Sequence, residues 1–131
     1  MFKMKREHVS GKYIVFFYSD KNGRKPTKEW YEAIKASDYK NHTRKSERID
    51  KCIDALAKYG KAIRMPHGRI LAGGIWELRP SSDRLLYAAY VDNSFIILHH
   101  FTKAEVNNDK MLALAIAKAI NNLDEYQKRE G

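Results

Sequence analysis

The apolar positions of this chain change period as it runs. Tyr13-Ile14-Val15-Phe16-Phe17-Tyr18 is an unbroken β-branched and aromatic run, which predicts a central strand buried on both faces. Asn22-Gly23 follows as a turn signal. Pro26-Thr27 then opens a helical segment, with Thr27 as its N-cap. Trp30, Ala33 and Ile34 recur at helical spacing, and this first helix is expected to run to about Ser37. Asp38 to Thr43 is a polar break. Beyond it, Ile49, Cys52, Ile53, Leu56 and Ala57 fall on one helical stripe, with Lys45, Arg48, Lys51 and Asp54 outside it. Gly60 is the expected stop, because the position after a helix favours glycine. The two segments predict a helical hairpin.

The second half turns to a period of two. Arg69-Ile70-Leu71 is a short candidate strand, and Gly73-Gly74 is a hinge or turn. From Ile75 to Arg79 the pattern alternates, placing Trp76 and Leu78 on one face and Ile75, Glu77 and Arg79 on the other. Pro80 to Asp83 reads as a loop, Arg84 to Val91 as a strand, Asp92-Asn93 as a tight hairpin turn and Ser94 to Phe101 as the last strand. Asn108 to Arg129 predicts a C-terminal helix, capped by Asn107 or Asn108, with Leu112, Ala115, Ile116, Ala119, Ile120 and Leu123 as its apolar stripe. Asp109 suits the positive end of that helix dipole, and Lys128 and Arg129 suit the negative end. Strand, two helices, three or four strands, helix: the order predicts a single α+β domain over residues 1–131 with a mostly antiparallel sheet.

Composition narrows the function classes. With 131 residues and 44% hydrophobic content, the chain carries enough apolar mass for one core and is not a disordered tail. It has 25 Lys+Arg against 16 Asp+Glu, a formal charge of +9. That balance predicts attraction to a polyanion: nucleic acid, an anionic membrane surface or an acidic protein. Cys52 is the single cysteine, so an internal disulfide framework is excluded and a reducing cytosol is expected. No apolar run approaches the ~20 residues of a membrane span. Met1–Ser10 is charged and has no hydrophobic core of a signal peptide. The expected setting is cytoplasmic, with no membrane partner.

Neither a metal nor a cofactor is called for. His99 and His100 are adjacent on a strand and point to opposite faces, which makes a poor chelate, and there is no cysteine pair beside His42 or His67. Gly73-Gly74 is too short for a phosphate-cradling loop.

One string of motifs is more specific. Arg64-Met65-Pro66-His67 precedes Leu71-Ala72-Gly73-Gly74-Ile75-Trp76-Glu77-Leu78-Arg79; Arg84-Leu85-Leu86-Tyr87 and Leu98-His99-His100-Phe101-Thr102-Lys103 follow. This order resembles the phage-derived, HigB-like branch of the RelE/ParE toxin superfamily, from Lys58 to about Tyr126. The resemblance implies a small twisted, mostly antiparallel sheet with a helical hairpin on one side and a C-terminal helix. It also implies the toxin of a type II toxin–antitoxin system. Such a toxin is a ribosome-dependent mRNA endoribonuclease that needs no metal, and it is silenced by a cognate helix-turn-helix antitoxin.

In that chemistry the RNA 2′-OH attacks the adjacent phosphate, and the protein aligns it and stabilises the developing charge. Arg84 matches the family's arginine position and is the first candidate to clamp the scissile phosphate. Lys103 matches the first of two family lysines and is the second candidate. Glu77 is a candidate general base, and His99 a candidate acid or base near pH 7. Arg79, Arg69 and Tyr90 are candidate substrate-binding residues, Tyr90 by stacking on a base. Tyr87 and Tyr90 fall on opposite faces, so at most one stacks. The Lys40–Arg48 cluster is a solvated helix face or a contact for ribosomal RNA.

Each residue has a plainer structural reading. Trp76 and Leu78 read as core, Glu77 with Arg79 as a surface ion pair, and His99 and His67 as hydrogen-bonded structural histidines. The chain also departs from the family: the second lysine is Ala104, and Glu105-Val106-Asn107-Asn108 leads into the last helix. The alternatives are therefore a ParE-like inhibitor of DNA gyrase, which shares the fold without cutting RNA, and a non-catalytic phage nucleic-acid-binding protein.

Overall fold

The computed structural model describes residues 12–60 and 68–130. Within these residues five strands and three helices follow one another as β1 (Ile14–Phe17), α1 (Pro26–Lys35), α2 (Lys40–Tyr59), β2 (Gly68–Ile70), β3 (Trp76–Leu78), β4 (Asp83–Ala89), β5 (Ser94–Thr102) and α3 (Asp109–Glu130). The strands form one sheet in the order β1-β5-β4-β3-β2. All neighbours are antiparallel except β1 and β5, which run parallel with Ile14 beside Ser94. This is the expected α+β fold with a mostly antiparallel sheet.

Two cores flank the sheet. Val15, Phe17, Leu78, Leu85, Tyr87, Phe95 and Ile97 join Ile34 of α1 and Ile49, Cys52, Ile53 and Leu56 of α2. On the other face Phe16, Tyr18, Ile75, Leu86, Ala88, Ile96, Leu98 and Phe101 join Ala115, Ala119 and Tyr126 of α3. The continuous apolar run of β1 thus reflects coverage on both faces. It does not reflect a central place in the sheet: among the described residues β1 is an edge strand, paired with β5 alone. Coverage by helices and position in the ladder are independent, and only the first leaves a mark on hydrophobicity.

The helix starts differ from expectation. Lys25, not Thr27, precedes the first turn of α1, and Pro26 occupies the position where its missing N–H costs nothing. Thr27 is instead buried, part of an inward face completed by Trp30, Tyr31 and Ile34, while Ala33 faces solvent. Helix α2 already begins at Lys40, inside the expected polar break. Its first turn, Lys40 to Thr43, is polar and mostly exposed, so no apolar stripe marks the start. Gly60 ends α2 with φ 57°, and a Cβ there would lie 2.5 Å from the Tyr13 ring. Asn108 caps α3, its Oδ1 accepting from the Met111 N–H at 2.9 Å. Ile120, expected in the apolar stripe of α3, is 38% exposed, and Tyr126 takes the buried place nearer the end.

Between β4 and β5 the register slips. Leu86 pairs with His99 and Tyr87 with Ile97, so Leu98 is an extra residue on β5. This bulge resets the alternation. Leu98 and Phe101 face α3, whereas His100 faces α1.

Candidate functional site

The charged residues singled out on the second half of the chain converge on one carboxylate. Glu77 lies in the middle of β3, opposite Arg69 of β2 on one side and Leu86 of β4 on the other. The period-two pattern puts Glu77, Arg79, Arg84 and Leu86 on the same side of the sheet. Glu77 is 2% exposed, and its Oε1 lies 3.0 Å from Arg69 Nε, 3.6 Å from Arg79 Nε and 3.9 Å from Arg84 Nε. The surface ion pair expected of Glu77 and Arg79 is therefore corrected to a buried acid gathering three arginines. Burying a carboxylate is costly unless it is paired and hydrogen-bonded, and here the nearest guanidinium supplies that bond.

Arg84 is held hardest. Its Nη1 donates to the carbonyl of Ser81 at 2.6 Å and to that of Asp83 at 2.8 Å. Burial, followed by the neighbouring Arg79, pushes its pKa down from the usual arginine value, with Glu77 acting against both. Ser81 sits in the left-handed region at φ 61°, so the turn between β3 and β4 stores strain that the arginine bonds hold in place.

Arg69, Glu77, Arg79 and Arg84 form the floor of a cleft of about 310 Å³. Lys103, just beyond β5, and the lead into α3 from Val106 to Asp109 form its other wall. Of the residues singled out from sequence, Arg69, Glu77, Arg79, Arg84 and Lys103 meet here. Glu105, the acid beside the missing second lysine, accepts hydrogen bonds from the Thr102 N–H and hydroxyl at 2.9 and 2.8 Å. Its carboxylate is tied to the strand end and does not line the cleft.

His99 and Tyr90 are placed elsewhere. His99 is half-buried, and burial together with Lys118 of α3 lowers its pKa. Tyr90 packs in the core beneath α3, its ring 5.7 Å from that of Phe16 and 5.5 Å from that of Tyr126. Tyr87 is on the opposite face in the other core, as the alternation required. Trp76 and Leu78 pack against the hairpin as core residues. His67 lies outside the described residues. Among the described residues no cluster of three or more His, Cys, Asp or Glu side chains has the geometry to hold a metal, and no helix is long and apolar enough to cross a membrane.

Sequence reasoning missed a second buried group. His100 stacks on Trp30 at 4.4 Å between ring centroids and shares a 2.8 Å hydrogen bond with Thr27. Lys45 of α2 reaches over the other end of this arrangement, 5.8 Å from the Trp30 ring and 3.3 Å from Asp83 Oδ1. Asp83 is fully buried, and burial raises its pKa above the usual carboxylate value. The signal was available: Asp83, Leu85 and Tyr87 share one parity, so extending β4 back by one residue sends Asp83 under the hairpin.

The family model described as Phage derived protein Gp49-like (DUF891) matches residues 40–124, from the first turn of α2 well into α3. It covers every residue of the cleft. No match was found among curated proteins.

Proposed function

The chain belongs to the phage-derived Gp49-like family, and on that premise we propose that it is a RelE/HigB-like toxin of a type II toxin–antitoxin system, a ribosome-dependent mRNA endoribonuclease. The observation that carries this reading is the clustering of Arg69, Arg79 and Arg84 about Glu77, with Lys103 across the same cleft. Cutting RNA by its own 2′-OH asks a protein mainly for alignment and for positive charge where the phosphorane forms.

In this mechanism the phosphate rests on the floor of the cleft. The 2′ oxygen bonds to phosphorus, and the bond from phosphorus to the 5′ oxygen breaks. The hydroxyl proton ends on the departing 5′ oxygen, leaving a 2′,3′-cyclic phosphate and a 5′-OH. Arg84 is the clamp. Two of its five N–H groups are spent on the Ser81 and Asp83 carbonyls, and Nε is turned to Glu77, which fixes the fork and leaves Nη2 for the phosphate oxygens. Lys103 approaches from the facing wall. Glu77 is engaged by three guanidinium groups, so the role assigned to it is holding the arginines in register, not taking a proton. His99 does not line the cleft, so it has no part in the proton transfer in this reading. Tyr90 belongs to the scaffold in this reading. The expected partners are mRNA on the ribosome and a cognate antitoxin whose acidic segment covers the cleft.

The test is induction of this gene alone in bacterial cells, with and without its neighbouring gene, while RNA 5′ ends are mapped. Growth arrest with cuts in translated messages that leave 5′-OH ends, rescued by the neighbour and absent for Arg84→Ala, is the expected result. Arrest accompanied by gyrase–DNA cleavage complexes, with messages intact, would replace this reading by the gyrase one.

A further inference from the structure

A second cleft, of about 430 Å³, opens on the other side of the β3–β4 turn, between that turn and α2. Arg48 and Lys51 of α2 line it from one wall, Arg79, Pro80, Ser81 and Arg84 from the other, and Cys52 contributes from the helix. Among the described residues its lining holds four cationic side chains and no carboxylate. The first cleft differs in this respect, since Glu77 and Asp109 line it beside its cations. Arg79 and Arg84 line both, so the two clefts adjoin across a shared arginine wall.

The second cleft is a built feature. Arg48 Nη1 donates to Ser81 Oγ at 3.1 Å, and Arg84 Nη1 donates to the carbonyl of the same residue at 2.6 Å. Two arginines from different elements thus hold the strained Ser81 at its lip. Arg84, only 7% exposed, carries its charge into the floor. Arg79 and Arg84 answer to Glu77 behind the wall, but Arg48 and Lys51 bring two further positive charges to a lining without a carboxylate, and an anionic occupant offsets them. Arg44, one turn before Arg48 on α2, extends the basic side chains along the helix, with Glu47 the acid among them.

We propose that this second cleft is a phosphodiester-binding subsite that seats the backbone of single-stranded RNA beside the phosphate held in the first. It rests on the reading above only in taking the strand to be RNA. Arg48 and Lys51 contact phosphate oxygens here and take no part in bond breaking. Pro80 and Cys52 give an apolar surface for the intervening sugar. The same chemistry would accept the phosphate of a free nucleotide, so the source has to be separated by length.

The experiment is fluorescence anisotropy of a labelled ten-nucleotide single-stranded RNA across a salt series, with the full chain and with Arg48→Ala/Lys51→Ala. The double variant is expected to bind about tenfold more weakly. Its log K against log salt should be shallower by about 1.4, since each phosphate contact on a single strand contributes roughly 0.7. Because Arg48 also braces Ser81, Lys51→Ala alone is measured beside it; this exposed lysine should remove about half the slope change with an unaltered melting curve. Unchanged affinity and slope in both variants would overturn the proposal. Displacement of the RNA by adenosine monophosphate at matching phosphate concentration would overturn it too, in favour of a free nucleotide. Loss of RNA binding in a chain that cuts no message would sink the nuclease reading and leave this one standing. Cutting that depends on Arg84 with binding indifferent to Arg48 and Lys51 would do the reverse.

Discussion

Arg69 and Glu77 face each other across the β2–β3 ladder, with Nε of the arginine 3.0 Å from Oε1 of the acid. The relationship is lopsided: the arginine side chain is 44% exposed and the acid 2%. Removing either one breaks the same contact, yet the costs differ. Arg69→Ala removes the hydrogen bond to the buried Glu77 but leaves Arg79 and Arg84 beside it, and the lost pair is half in water, so the cost is about 1–2 kcal/mol. Glu77→Gln leaves three guanidinium groups without their common counter-charge, Arg84 among them in a buried place. That should cost about 2–4 kcal/mol, towards the lower part of the range for stripping one partner from a buried pair because two of the arginines are partly solvated. Urea unfolding of the two variants measures this directly. Equal costs would mean that Glu77 is not the organising residue.

His100 gives the fold an acid-sensitive element. Burial, with the neighbouring His99 second, lowers its pKa from 6.5 to about 4. The unfolded chain therefore takes up a proton near pH 6.5 that the folded chain refuses until about pH 4. The stabilisation is complete above about pH 6.5 and is lost as the pH falls towards 4, by at most about 1.4 kcal/mol per pH unit. His99 is displaced in the same direction and steepens the loss. Asp83 runs the other way, since its raised pKa makes the folded state prefer the protonated acid. His100→Gln keeps a polar group towards Thr27 but has no proton to gain. Urea midpoints at pH 7, 5.5 and 4.5 should fall less steeply for this variant than for the native chain. Parallel lines would exclude His100 as the source of the acid dependence.

Gly60 allows α2 to end against β1. Its φ is +57°, and a Cβ would stand 2.5 Å from Cε2 and Cζ of Tyr13. Tyr13 in turn donates its N–H to the carbonyl of Ala57 at 2.9 Å and packs its ring 5.5 Å from Phe95, so it cannot swing away without loosening the β1–α2 contact. Gly60→Ala should cost about 2–4 kcal/mol from backbone strain and overpacking together. Gly23→Ala is the control: φ is similar at +79°, but nothing lies within 4 Å, and strain alone should cost about 1–2 kcal/mol. Thermal melts that rank the two equally would show that the Tyr13 contact gives way freely.

Much of this arrangement was legible in the chain because periodicity reports burial. The stripe Ile49, Cys52, Ile53, Leu56 and Ala57 is the buried face of α2, and the alternation around Trp76 and Glu77 sends the acid to the arginine side. What stayed hidden depends on partners distant in sequence. Nothing local tells that the run at Val15 and Phe16 lies at a sheet edge, because its partner is β5. Helical spacing picks out Trp30, Ala33 and Ile34, but packing against Phe17 brings Tyr31 inward and leaves Ala33 in solvent. The bulge at Leu98 shifts the faces of His99 and His100 relative to the start of β5, and no residue type there announces it. Alternation places Arg79 on the Glu77 face, but the arrival of Arg69 and Arg84 there, and the closure of all three on Glu77, are properties of the assembled sheet.

The geometry of Arg84 separates charge from shape at the first cleft. A lysine at this position retains a positive charge, but a single ammonium cannot reproduce a planar fork whose Nη1 bonds two carbonyls while Nε points to Glu77. If Arg84 only attracted RNA, Arg84→Lys would cut nearly as well as the native chain. If it aligns and neutralises the phosphorane, binding should survive and chemistry should not. The expected result is RNA affinity within about threefold of native and a cleavage rate on ribosome-bound message lowered about 10²-fold or more, the scale for losing one preorganised donor. The Ser81 turn loses a brace as well, so the variant should also be less stable by about 1–2 kcal/mol. Single-turnover cleavage at saturating protein, read beside anisotropy and urea unfolding, distinguishes these effects. A native rate from the lysine variant would reduce Arg84 to a structural residue of the turn and shift the clamp to Arg79 and Lys103.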